Sequence, residues 1–122
     1  MKKTVVFDFD GVIHSYTSGW KGEDVIHDAP VCGIKKAIAD IREEGYEVVV
    51  VSTRCATFGG IMAIKEYLRD NGIIVDRICR EKPPALVYID DRAICFDGNA
   101  ENLLDKINKF SPWYEKGGDD NA

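Results

Sequence analysis

The sequence predicts an α/β domain built on a mainly parallel sheet. Short β-branched apolar runs alternate with segments of helical period along most of the 122 residues. No internal repeat interrupts the alternation. Each buried run also closes in polar residues, and in open α/β sheets ligands bind beyond the carboxyl ends of the strands.

The elements follow in order. Thr4-Val5-Val6-Phe7 has the character of a buried central strand. It runs directly into Asp8-Phe9-Asp10-Gly11-Val12. Side chains two apart on an extended chain share a face, so Asp8 and Asp10 project together just past the strand. Gly11 then lets the chain turn sharply. Residues 12–28 show little helical period and carry tight turns at Ser18-Gly19 and Lys21-Gly22. Asp28 and Pro30 open a helix with Ile34, Ala37, Ile38 and Ile41 on one face, stopped at Gly45. Residues 47–51 form a second buried strand. A helix from about Thr57 aligns Ile61, Ile64 and Leu68 and ends at Asn71-Gly72. Residues 73–78 read as a third strand, 86–89 as a fourth after the breaker Pro83-Pro84, and 93–96 as a short fifth. Asn99 caps a last helix carrying Leu103, Leu104, Ile107 and Phe110, which ends before Pro112. The domain is thus assigned to residues 1–112, with a C-terminal tail over 113–122. Trp113 and Tyr114 read as anchors for that tail or a dimer contact rather than as substrate contacts.

Composition bounds the function. Apolar residues make up 45% of the chain, enough for a hydrophobic core. Apolar runs such as Val48 to Val51 are far too short to span a membrane, and nothing resembles a signal peptide, so the chain reads as soluble and cytoplasmic. Cys32, Cys55, Cys79 and Cys95 are spread out, with no CxxC and no paired histidines. That pattern suits free buried thiols in a reducing compartment rather than zinc. His14 and His27 lie too far apart, and too unsupported, for a metal site. The net charge of −5 argues against broad nucleic-acid binding while leaving room for a small basic site.

The strand ends hold the chemistry. The second strand closes in Ser52-Thr53-Arg54, Lys82 lies shortly before the fourth, and the fourth closes in Asp90-Asp91-Arg92. Singly these are ordinary: a Ser after a strand commonly caps a turn, and a lysine is commonly solvated. Paired carboxylates are more telling, because neighbouring like charges repel unless a cation sits between them. Mg²⁺ is the usual oxygen-seeking cation.

With Asp8 and Asp10 as DxDG, Ser52, Lys82 and Asp90-Asp91 in that order, the chain resembles the haloacid dehalogenase (HAD) superfamily of phosphotransferases. The resemblance covers four motifs from Asp8 to Asp91 and implies a HAD-like Rossmannoid three-layer fold. It implies a Mg²⁺-dependent phosphomonoester hydrolase in which Asp8 is the nucleophile, forming an aspartyl phosphate. Asp10 would be the general acid and then the base, a task that calls for a pKa above that of an exposed Asp. Ser52 would donate to a transferring oxygen and Lys82 would supply positive charge. The cation would be held by Asp8, the backbone carbonyl of Asp10, and Asp90 or Asp91, with Asp91 favoured as the direct ligand. An Asp at position 10 matches phosphatases and phosphomutases rather than dehalogenases or ATPases.

No insertion of domain size follows motif one or separates motifs two and three, so the chain resembles the capless class. A flap over about residues 12–28 then offers His14, Tyr16, Trp20 and Lys21 as substrate contacts, with Thr53 and Arg54 beside the phosphate. Thr53 is also the fallback for Ser52 if the strand register shifts by one. Packing of Tyr16 or Trp20 onto their own domain is the competing reading. A small-molecule phosphomonoester such as a sugar phosphate or nucleotide is the leading substrate class. Tyr88-Ile-Asp-Asp-Arg92 is also similar to motif four of phage-type polynucleotide kinase-phosphatases, which adds a nucleic-acid 3′-phosphate. An uncapped site also suits closure by a second copy in a homodimer. The alternatives to an enzyme are a receiver-like signalling domain phosphorylated on Asp and a phosphate-binding module without turnover.

Overall fold

Strand β1 (Thr4–Asp8) lies between β2 (Glu47–Val51) and β4 (Val87–Ile89), and β3 (Arg77–Cys79) pairs with the far edge of β2. Every pairing is parallel, giving the order β3-β2-β1-β4. The coordinates are a computed structural model, which describes residues 3–115.

The two-residue period of the strands divides the core between the faces of the sheet. Val5, Phe7, Val48 and Val50 face Ile38 of α1 (Ile34–Glu43) and Ile64 and Leu68 of α2 (Phe58–Asp70). Val6, Val49 and Val51 form a smaller cluster on the opposite face with Cys79 and Ala85. The run of valines in β2 is buried on both sides, as a central parallel strand requires.

α2 starts where the sequence places it. The Thr57 hydroxyl accepts the Gly60 N–H at 3.0 Å, capping the first turn. A Cβ at Gly60 would overlap the Arg54 carbonyl, so this helix start packs directly on the turn after β2.

Three expectations are corrected. The third strand is Arg77–Cys79 rather than residues 73–78. Ile73 is buried beneath the end of α2, with its N–H on the Leu68 carbonyl, so the chain reaches the edge of β2 only beyond it. No strand forms at 93–96. The last helix, α3 (Leu103–Lys109), begins after Asn102, because the Asn99 side chain instead accepts the Glu101 N–H in a local turn. α3 has no buried residue, and Leu104 and Ile107 are 70% and 58% exposed, so its apolar stripe faces outward. Of the cysteines, only Cys55 is fully buried, and all four are free.

Among the described residues, no helix is long and apolar enough to cross a membrane. The segment between β1 and α1 contains only turns and the isolated bridges Asp10 with His14 and His14 with Pro30. A 3₁₀ turn (Thr53–Ala56) and α2 fill the segment between β2 and β3.

Candidate active site

Strand register assembles the site. Asp8 pairs with Val51, so Ser52 emerges beside it, and Phe7 pairs with Ile89, so Asp90 and Asp91 emerge on the other side. The carboxylates of Asp8, Asp90 and Asp91 each offer an oxygen within 4.8 Å of the others. Burial pushes the Asp8 carboxyl up to about 8. A hydrogen bond shared with Asp91 and the charges of Asp90 and Asp91 add to the rise. Three crowded carboxyls must hold a proton between them or neutralise one another through a cation. Oxygen-only donors at this spacing fit a hard divalent ion such as Mg²⁺.

Asp10 stands in a different environment. Arg54 is fully buried and grips it with a fork: Nε donates to Oδ2 at 2.9 Å and Nη2 to Oδ1 at 3.1 Å. His14, also buried, bonds Asp10 Oδ1 through Nδ1 at 2.8 Å. The Asp28 backbone N–H donates to His14 Nε2 at 3.1 Å, and a backbone amide can only donate. Nε2 is therefore the acceptor, and the ring proton sits on Nδ1, facing Asp10. Burial raises the Asp10 pKa, but the hydrogen bonds from His14 and Arg54 outweigh it and hold the carboxyl below its ordinary range. This corrects the expectation of a raised pKa. The neighbours that matter are cationic or donating, not negative.

Two of the expected substrate contacts are likewise corrected. His14 is not on an accessible flap surface; Phe9, Tyr16 and Tyr67 surround its ring. Arg54 is turned into the protein, where its Nη1 donates to the carbonyls of Gly22, Glu23 and Val25 at 2.8–3.1 Å. It pins the flap onto Asp10, with Trp20 lying over its guanidinium at 4.7 Å. Ser52 is buried, and its hydroxyl oxygen accepts the Arg54 N–H, capping the 3₁₀ turn.

The open cleft, about 220 Å³, is lined by Asp8, Asp10, Tyr16, Trp20, Ser52, Thr53, Asp91, Arg92 and Tyr114. Lys21 is exposed and outside this lining. Lys82 is also outside it; its ammonium lies 3.4 Å from Asp90 Oδ2 and 5.4 Å from the Tyr88 ring centre. Burial would raise Asp90, but the Arg92 backbone N–H and Lys82 hold it low.

The sequence reading missed Tyr114 as a site residue. Its hydroxyl donates to Asp91 Oδ2 at 2.7 Å, and its ring meets Tyr16 edge-on at 5.5 Å. Trp113 does anchor the chain end, its Nε1–H donating to the Gly11 carbonyl at 2.6 Å. No local signal marks these contacts, since Gly11 and Trp113 are 102 positions apart. The rest of the predicted tail, 116–122, lies outside the described residues.

No protein-family model matches the chain, and no curated protein matches it. Among solved structures, it is similar to a target protein from Vibrio cholerae, with a TM-score of 0.52 at 23% identity over 77% of this chain and 83% of that one. It is also similar to a chain in the structure of the Pnkp1/Rnl/Hen1 complex, with a TM-score of 0.51 at 15% identity. That match covers 93% of this chain and 36% of the other. D,D-heptose 1,7-bisphosphate phosphatase from Burkholderia thailandensis matches with a TM-score of 0.41 at 23% identity, over 64% of this chain and 52% of its own. Likeness at these identities concerns the fold.

Proposed function

On the HAD-like Rossmannoid fold that this chain adopts, we propose a Mg²⁺-dependent phosphomonoester hydrolase working through an aspartyl phosphate on Asp8. One observation carries the reading: Asp8, Asp90 and Asp91 converge at the carboxyl ends of β1 and β4, while Asp10, one turn on, is held apart from them by Arg54 and His14. The two acids sit in opposite environments: Arg54 and His14 hold Asp10 ionised, and a cation among Asp8, Asp90 and Asp91 would free Asp8 of the proton that their crowding favours.

Asp8, Asp91 and Asp90 would hold Mg²⁺, which would supply the charge neutralisation that lets an anionic nucleophile and an anionic phosphoryl group approach. An Asp8 oxygen attacks phosphorus as the bond to the leaving oxygen breaks, and Asp10 passes a proton to that oxygen. In the second half Asp10 takes a proton from water, the resulting hydroxide attacks phosphorus, and Asp8 is released with inorganic phosphate. Arg54 and His14 hold Asp10 as the carboxylate, the form the water step uses. An arriving phosphoryl anion opposes their pull and favours the protonated form that the first step uses. Ser52 and Thr53 present hydroxyls to the transferring oxygens, and Lys82 balances Asp90.

The cleft has aromatic walls in Tyr16, Trp20 and Tyr114 and one exposed cation, Arg92. It suits a small phosphomonoester with a flat or ring-shaped alcohol, a sugar phosphate or nucleotide among them.

The test is phosphate release from aryl, sugar, nucleoside and 3′-oligonucleotide phosphates, with Mg²⁺ or chelator, for wild type and Asp8→Asn. Mg²⁺-dependent turnover lost in the variant is the expected result. A wild-type chain that forms a stable phosphoenzyme without turnover would instead favour a signalling domain.

A further inference from the structure

We propose that Tyr114 is a positioning residue for Asp91, delivered by a C-terminal aromatic turn that walls a site lacking a cap. The inference rests on the reading of Asp91 as a cation ligand.

The turn Trp113–Glu115 follows the buried Pro112 and returns the chain to the loop after β1. Three contacts fix it there. Trp113 Nε1–H donates to the Gly11 carbonyl at 2.6 Å. The Tyr114 hydroxyl donates to Asp91 Oδ2 at 2.7 Å, the carboxylate being able only to accept. The Tyr114 ring stands edge-on to Tyr16 of the flap at 5.5 Å. Gly11 shows how close the fit is: a Cβ there would overlap both the Asp91 carboxylate and the Tyr114 ring. The loop backbone, the acid and the phenol are therefore at contact.

The consequence is chemical. Asp91 follows the short edge strand β4, and among the described residues its side chain has no arginine or lysine within ion-pair distance. A phenol hydrogen bond holds its carboxylate plane and satisfies one lone pair, leaving the others for a cation. Such supporting hydrogen bonds raise metal affinity by fixing the ligand before the ion arrives. The same ring meets Tyr16 of the flap, so the C-terminal turn and the flap join in one aromatic wall of the cleft.

The experiment is Mg²⁺ titration of the 122-residue chain by calorimetry, without substrate, for wild type, Tyr114→Phe, Trp113→Phe and Asp91→Asn. Thermal melting in chelator is recorded alongside. Tyr114→Phe keeps the ring and its edge contact and removes only the hydroxyl. It is expected to weaken Mg²⁺ binding about tenfold, with melting in chelator unshifted. Trp113→Phe, which loosens the turn from Gly11, is expected to weaken binding in the same direction. It carries the test if Tyr114→Phe melts early. Wild-type Mg²⁺ affinity in both variants, with affinity lost in Asp91→Asn, overturns the positioning role. Undiminished affinity in Asp91→Asn overturns the cation reading itself, and the proposal with it.

Discussion

Arg54 holds both oxygens of Asp10 from a position with no solvent exposure, and the same guanidinium ties down the backbone carbonyls of residues 22, 23 and 25. One buried cation thus joins His14 in holding Asp10 ionised and also sets the position of the flap. Asp8, two residues earlier on the same chain, has no such partner among the described residues and faces two other carboxylates. The contrast between the two acids comes from what each strand end supplies: β2 a guanidinium, β4 a pair of negative charges.

Arg54→Lys tests that relationship. Lysine keeps the charge but cannot make the planar fork or reach the flap carbonyls as well. The depressed pKa of Asp10 contributes stability that is present above its unfolded value and lost as pH falls through its folded value. In Arg54→Lys that contribution shrinks, so the variant should lose less stability on acidification than wild type, and the loss should be complete at a higher pH. Arg54→Ala, which strands a buried carboxylate and several carbonyls, should destabilise by about 3–5 kcal/mol. Urea unfolding at neutral and acid pH measures both, and identical acid limbs in wild type and Arg54→Lys would sink the argument.

His14 acts through Asp10 rather than on substrate. Its Nε2 receives the Asp28 amide and its Nδ1–H points to Asp10. Nitrogen NMR should find the proton on Nδ1 in the resting chain. His14→Ala leaves the partly buried Asp28 amide without its acceptor, a loss of about 1 kcal/mol. In steady-state kinetics it should lower kcat more than it raises KM, because His14 itself does not line the cleft. A rise in KM alone would place His14 against substrate instead.

How much of this was legible varies with distance along the chain. Asp8, Asp10, Ser52, Asp90 and Asp91 were readable because each sits at the end of a strand whose apolar run is visible by itself, and a parallel sheet brings such ends together. Arg54 was visible as a residue but not in its role. A charged side chain three positions after a strand is ordinarily solvated, and only the flap wrapping over it makes it buried. His14 carried a faint signal, four residues after Asp10 in a turn that folds back on itself. Tyr114 carried none, since its contact with Asp91 depends on the path of the chain after α3. The same gap explains α3, whose apolar stripe predicted a core face that the fold leaves outside.

The Asp8 cluster makes stability respond to pH in the sense opposite to Asp10. In the cation-free chain the Asp8 pKa stands near 8 against an ordinary 3.8. Between those values the folded state holds a proton that the unfolded state has released. Stability therefore falls as pH rises through this window, by up to about 1.4 kcal/mol per unit. Mg²⁺ displaces that proton, so its stabilisation should be larger at pH 8 than at pH 5. Melting curves at both pH values, in chelator and in Mg²⁺, provide the check. A Mg²⁺ shift that shrinks as pH rises would contradict the assignment.

Gly11 is where the fold and the proposed chemistry meet most tightly. Its φ of +82° lies in the left-handed region, and a Cβ would run into Asp91 and Tyr114. Gly11→Ala therefore combines a backbone strain of about 1–2 kcal/mol with displacement of a candidate cation ligand. Strain alone would lower the melting temperature equally with and without Mg²⁺. Displacement of Asp91 adds a loss of Mg²⁺ affinity, so the variant should melt lower in chelator and gain less from Mg²⁺ than wild type does. Gly19→Ala is the control, because Gly19 has a similar φ of +77° but open space where its Cβ would stand. It should show the strain and keep the full Mg²⁺ response. Equal Mg²⁺ responses in the two variants would mean that the Gly11 loop does not govern Asp91.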